Sequence, residues 1–144
     1  MKQPPFARST IQSRVLPLMM ATAALTALAA HPACAATPTE LLSSYSTQAG
    51  SAPVPARGQQ FFNARHGRAW SCASCHGAVP TQNGQHAATG KRINALAPAF
   101  NPERFTDAAK SDKWFRRNCN DVVGRECTAA EKADVLSWLL TLKP

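Results

Sequence analysis

Cys72-Ala73-Ser74-Cys75-His76 is a C-x-x-C-H run, the sequence that attaches a c-type haem through two thioether bonds. The spacing has a geometric reason. The two cysteines reach two vinyl groups on one edge of the porphyrin, and the adjacent His76 then falls beneath the iron. C-x-x-C alone also serves as a redox dithiol or as half of a zinc site. Here the following histidine, the lack of a second C-x-x-C and an apparent export signal select haem c, one per chain. Most small cytochromes of this motif hold the opposite face of the iron with a methionine thioether. The three methionines are Met1, Met19 and Met20, all in the N-terminal segment. The sixth position is therefore expected to be held by another residue, or by none.

Residues 1–35 read as a secretory signal peptide, and residues 36–144 as a monohaem cytochrome c domain. Lys2, Arg8 and Arg14 give a basic start without acids, Leu18 to Ala30 is apolar, and Ala33-Cys34-Ala35 offers a cleavage site before Ala36. The apolar run is shorter than the roughly 20 residues that span a bilayer. A lipoprotein reading at Cys34 is disfavoured by the poor lipobox His31-Pro32-Ala33. Export to the periplasm is the resulting expectation. Losing three bases lowers the formal charge from +8 to +5. The remaining bases are scattered, so nucleic-acid binding is not supported, whereas a mildly acidic docking partner is. Of five cysteines, Cys34 leaves with the signal, and Cys72 and Cys75 go to haem. Cys119 and Cys127 remain as an even pair, for which a disulfide is the default in an oxidising compartment.

No strand pattern or internal repeat is visible, and the elements read as helices. Thr37-Pro38-Thr39-Glu40 is a helix start with a capping box, carrying Leu41, Leu42 and Tyr45 inward and ending near Gly50. A second helix is predicted from about Ala56 to Arg65, with Phe61 and Phe62 in the core. Gly58 with Phe62 against Trp138 resembles the terminal-helix crossing of class I cytochromes c. Residues 78–104 read as a loop around the haem edge with one short helix. Thr106 is the expected cap of a helix over Asp107–Arg117 that buries Trp114 and Phe115. Thr128-Ala129-Ala130-Glu131 opens a last helix with Val135, Trp138, Leu139 and Leu142 on one face.

The free ring nitrogen of His76 is expected to donate to a backbone carbonyl in the Gly77–Pro98 loop. For the opposite face, His66, His86, Lys91, Asn118 and Asn120 are all candidates. Imidazole binds both oxidation states of iron well, which favours His86, yet nothing in its small-residue loop holds it in place. His66 lies close upstream of the attachment segment, so the far face is awkward to reach. Asn118 occupies the stretch just before the last helix, where a second ligand usually arrives, although an asparagine there is ordinarily a turn residue. Trp114 and Phe115 are candidates for the distal face as well as for helix core. Arg116 and Arg117 fit either a propionate or solvent.

Five motifs taken together resemble the sphaeroides haem protein family. They are Cys72 to His76, Thr89-Gly90-Lys91, Leu96-Ala97-Pro98, Arg104-Phe105-Thr106-Asp107, and Trp114 to Cys127 with its Arg117-Asn118-Cys119-Asn120 core. The resemblance covers nearly all of residues 37–142. It implies an all-α, class I cytochrome c fold with one covalent haem that is high-spin and binds oxygen. It also implies that Asn118 ligates the ferric iron and leaves on reduction, and that Cys119 pairs with Cys127. Diatomic gases (O₂, NO, CO) become the expected ligands of the reduced iron. The implied electron donor is a dihaem cytochrome c, with a membrane b-type cytochrome as a second candidate. Two other classes stay open: a weak oxidoreductase consuming O₂ or NO, and a plain electron carrier whose sixth ligand never leaves.

Overall fold

A computed structural model describes residues 36–144; residues 1–35, where the expected signal and cleavage site fall, lie outside the described residues. Helix α1 spans Pro38–Ala49. Thr37 Oγ1 accepts from the Glu40 amide at 3.2 Å, and the Glu40 carboxylate accepts from the Thr37 amide at 2.7 Å. Two otherwise orphaned donors are thus satisfied reciprocally. Gly50, with φ 63°, ends the helix.

Helix α2 spans Pro55–Asn63 and has no side-chain cap. Its start is fixed from outside: the Val54 amide donates to Asp134 Oδ1 at 2.7 Å, and Arg57 grips the same carboxylate through Nε and Nη2. Asp134 belongs to α5, Ala129–Thr141, which opens on the second capping box, Thr128 with Glu131. A Cβ on Gly58 would lie 2.0 Å from the Asp134 carbonyl oxygen. Glycine is therefore what lets α2 and α5 cross backbone against backbone. Phe62, one turn on, meets Trp138 with ring centroids 5.1 Å apart.

Every residue from Ala133 to Leu139 is buried, so α5 is the central rod of the fold rather than a one-faced helix. On one side Leu41 and Tyr45 of α1 pack on Ala133 and Leu136. On the other Phe62 packs with Val135, Trp138 and Leu139. Leu142 falls past the helix end and is only partly buried.

Three expectations are corrected. Helix α4 runs over Ala108–Val122 with Asp107, not Thr106, as its cap. Asp107 Oδ1 accepts from the Lys110 amide at 2.9 Å, while Thr106 turns back to the Glu103 carbonyl. Asparagine 118 thus sits inside a helix, and the buried Cys119 and Val122 explain why α4 continues: tertiary packing outweighs local preference. Secondly, Trp114 is 46% exposed rather than buried, and Phe115 is half-buried. Thirdly, the 78–104 stretch contains no helix among the described residues. It forms a two-stranded antiparallel hairpin, β1 Gly84–Gln85 with β2 Arg92–Ile93, pairing Gly84 with Ile93 and Gln85 with Arg92. The all-α class stands, since these strands are two residues each. No helix among the described residues is long and apolar enough to cross a membrane.

Candidate haem site

The attachment motif folds as a single helical turn, α3, Ala73–His76. Both the Cys75 and His76 amides donate to the Cys72 carbonyl, and Ser74 Oγ accepts from the Ser71 amide at 3.0 Å. One turn brings the i and i+3 sulfurs to the same side and leaves His76 adjacent, as two thioethers and an axial ligand require. The hairpin closes over this turn. A Cβ on Gly84 would lie 2.0 Å from the Cys75 carbonyl oxygen, so only glycine permits the approach. The Ala87 amide donates to Cys75 Sγ at 3.3 Å. Between turn and hairpin lies an open cleft of about 430 Å³ lined by Cys75, His76, Val79, Asn83 and His86 among others.

The surroundings fit a haem and disfavour the other uses of C-x-x-C. Cys72 and Cys75 are not paired with each other in a disulfide, and Cys72 packs on the apolar cluster of Phe62, Trp138 and Leu139. Burial pushes the Cys72 thiol up to about 11, whereas a redox dithiol needs a lowered one. Among the described residues no three His, Cys, Asp or Glu side chains gather as a metal cage. Burial, with a smaller contribution from Arg104, pushes His76 down to about 4. Its imidazole is thus neutral at pH 7, with a lone pair available to iron. The expected hydrogen bond from the His76 ring to a loop carbonyl is absent among the described residues. Within that loop the Leu96 and Ala97 amides both donate to the Pro80 carbonyl.

Each alternative histidine has a local partner, and His86 lines the same cleft as His76. His66 Nε2 lies 2.9 Å from the Phe61 carbonyl oxygen, and its ring is tilted 41° to that of Phe61 with centroids 4.4 Å apart. His86 Nδ1 accepts from the Thr89 amide, and its backbone closes the hairpin with Gly90 and Lys91. Lys91 is exposed on that hairpin, and Asn120 is exposed on α4. Asn118 is also exposed on α4, one turn beyond Trp114 and on the same face. It does not line the cleft. Its helix is tied to the haem-motif region through Phe115, which packs on the same cluster as Cys72 and Ala73.

Helix α4 is secured at both ends. Cys119 and Cys127 are joined by a disulfide with Cα atoms 5.6 Å apart. Nearer the start, Asp112 accepts from Tyr45 Oη at 2.9 Å and from Lys132 Nζ at 2.8 Å. Sequence reading missed this clasp, and it missed Arg104. That guanidinium donates to the Ala95 and Asn94 carbonyls at 3.0 and 2.7 Å, and burial lowers its pKa. Phe105 beside it has φ 61°, an uncommon conformation for an aromatic residue, and touches both core clusters.

Comparison with known proteins settles the family. The chain is 45% identical over 121 residues to the cytochrome c-type protein SHP of Cereibacter sphaeroides, covering 80% of this chain and 93% of that one. The chain belongs to the sphaeroides haem protein family. The structure of oxidised SHP, described as an oxygen-binding cytochrome c, matches with a TM-score of 0.70 and 44% identity over 74% of this chain and 98% of that one. A solution structure of cytochrome c'' from Methylophilus methylotrophus, concerned with haem-ligand detachment, matches with a TM-score of 0.67 and 35% identity, covering 74% and 94%. A family model described only as a domain of unknown function, DUF1924, matches residues 48–139. This member of the family is accordingly a monohaem cytochrome c with a covalently bound haem.

Proposed function

We propose that the chain is a periplasmic cytochrome in which the Asn118 side chain holds the sixth iron position in the ferric state and leaves on reduction. The vacated position then accepts O₂, NO or CO. In this reading Cys72 and Cys75 carry the thioethers and His76 is the permanent axial ligand. When bound, haem c supplies a one-electron couple and, once reduced, an iron with affinity for neutral diatomic molecules. An amide oxygen is a hard, neutral donor, well matched to Fe(III) and poorly to Fe(II), so reduction itself releases Asn118.

The observation that carries the reading is the position of Asn118. It is exposed on α4 beside Trp114 and immediately precedes a cysteine locked to Cys127. With Asp112 clasped at the other end of the helix, the backbone is held while the side chain stays free to rotate. Oxygen binding by SHP and ligand detachment in cytochrome c'' support the same behaviour here. The Cys119–Cys127 pair supports an oxidising compartment. Electrons would come from a dihaem cytochrome c, or from a membrane b-type cytochrome.

An optical spectrum of the dithionite-reduced protein tests this. Five-coordinate, high-spin ferrous haem that takes up CO is expected. A six-coordinate, low-spin ferrous spectrum unresponsive to CO would make the protein a plain electron carrier. Catalytic loss of O₂ or NO under steady reduction would add an oxidoreductase activity.

A further inference from the structure

Gly124 follows the last turn of α4 with φ 83°. Its amide donates to the Cys119 carbonyl at 3.1 Å, beside that of Val123 at 2.7 Å. The group that lies against it comes from far along the chain. A Cβ on Gly124 would be 2.7 Å from Arg68 Nη2, 2.9 Å from Nε and 3.1 Å from Cζ. Cζ sits between the two nitrogens yet is the farthest of the three, so the Nε–Nη2 edge faces the glycine. Glycine therefore serves twice here: it adopts the left-handed conformation, and it leaves room for the guanidinium.

This contact joins two parts of the haem site. Arg68 stands on the chain leading into Cys72, and Gly124 lies inside the Cys119–Cys127 disulfide loop that directly follows Asn118. A helix ends with partial negative charge, and a cation near its last turn stabilises it. Helix α4 has no basic residue in its last turn, and Asp121 adds negative charge there. Arg125, next in sequence to Gly124, is turned to α5, where Nη1 and Nη2 both donate to the Glu131 carboxylate. Arg68 has no acidic partner among the described residues and supplies the cation from outside the helix.

We propose that Arg68 is a positioning residue for Asn118. By holding the last turn of α4 to the segment that enters the attachment turn, it keeps the Asn118 amide seated on the ferric iron. It thereby sets how easily another ligand displaces that amide. The inference rests on the reading above that Asn118 is the ferric ligand. Arg68 acts through the helix and takes no part in the bond itself. The disulfide and the Asp112 clasp tie α4 to its own loop, to α1 and to α5, whereas Arg68 ties it to the chain that carries Cys72.

The test is imidazole titration of the ferric holoprotein, followed by its Soret band. Imidazole must displace Asn118, so its apparent affinity reports how firmly the amide is held. Arg68→Gln should bind imidazole about two- to fivefold more tightly than wild type, the size of a helix-terminus charge effect. That gain should shrink as ionic strength rises from about 20 to about 300 mM. Arg68→Lys keeps the charge and should stay within about 1.5-fold of wild type. Arg65→Gln, which removes another exposed cation of the same segment, should do likewise. In an Asn118→Ala background Arg68→Gln should add nothing, since its effect runs through the amide. An equal gain in that background would make Arg68 a general determinant of access to the iron and overturn the proposal. So would the absence of any gain from Arg68→Gln in a protein whose imidazole affinity Asn118→Ala does raise. If Asn118→Ala itself leaves that affinity unchanged, the ligand reading has failed and this proposal falls with it, an outcome distinct from the other two.

Discussion

Tyr45 donates its phenolic hydrogen to Asp112 Oδ1 at 2.9 Å, tying α1 to the helix that carries Asn118. Burial first, and Asp112 second, raise the Tyr45 pKa well above the ordinary phenol value. Tyr45→Phe should cost about 1 kcal/mol in urea unfolding, as a single part-buried hydrogen bond does. The sign for pH follows from the neutral form being favoured in the folded state. This contribution is complete below about pH 10 and is lost above it, as the unfolded chain ionises first. Tyr45 is the sole tyrosine, so phenolate absorbance should appear together with unfolding rather than before it.

Gly58→Ala tests the helix crossing. The added methyl would meet the Asp134 carbonyl at 2.0 Å, and main chain cannot swing aside as a side chain does. Destabilisation of about 3 kcal/mol or more is expected, read as a lowered melting temperature of the holoprotein. A change within about 0.5 kcal/mol would mean that α2 and α5 have room to part.

Acid should loosen α4 and α5 together. Arg125 chiefly, with the Thr128 cap, holds Glu131 below the ordinary carboxylate range against the opposing effect of burial. Burial alone would raise Asp112, but hydrogen bonds from Lys132 and Tyr45 outweigh it and leave it lowered. Depressed carboxylates stabilise the fold above their unfolded pKa, and that contribution disappears as pH falls through about 4 and below. Thermal melts should therefore be flat near neutrality and decline below about pH 4. Glu131→Gln should flatten part of that decline.

The sequence was most readable where chemistry is local. Both capping boxes, Thr37 with Glu40 and Thr128 with Glu131, are four-residue devices that act the same way in any context. The crossing of Gly58 and Phe62 with Trp138 was legible through likeness to class I cytochromes c, and it is where α2 meets α5. Less legible was whatever depends on distant partners. Asn118 reads as a turn residue, yet packing of Cys119 and Val122 continues α4 past it. Thr106 and Asp107 are both good caps, and only the backbone path decides for Asp107. A hairpin of two-residue strands leaves no alternation to detect. The Tyr45–Asp112–Lys132 clasp joins three helices far apart in sequence, and Arg104 gave no signal beyond its place in a motif. The ligand role proposed for Asn118 rests on family resemblance, because its residue type alone suggests a turn.

His76→Ala tests the proximal assignment. Cys72 and Cys75 should still hold the porphyrin, so intact mass should retain one haem, while the iron should bind added imidazole readily. An unaltered ferric spectrum would mean that His76 is not the axial ligand.

The most direct measurement of the account is the ferric and ferrous spectroscopy of Asn118→Ala beside Asn120→Ala. Ferric Asn118→Ala should show an open or water-bound iron by electron paramagnetic resonance. Its ferrous CO complex should match that of the wild type, whose own ligand has by then departed. Asn120→Ala should keep the wild-type ferric coordination. An Asn118→Ala protein with an unchanged ferric spectrum, or a wild-type ferrous protein that refuses CO, would contradict the claim that Asn118 guards the iron until reduction.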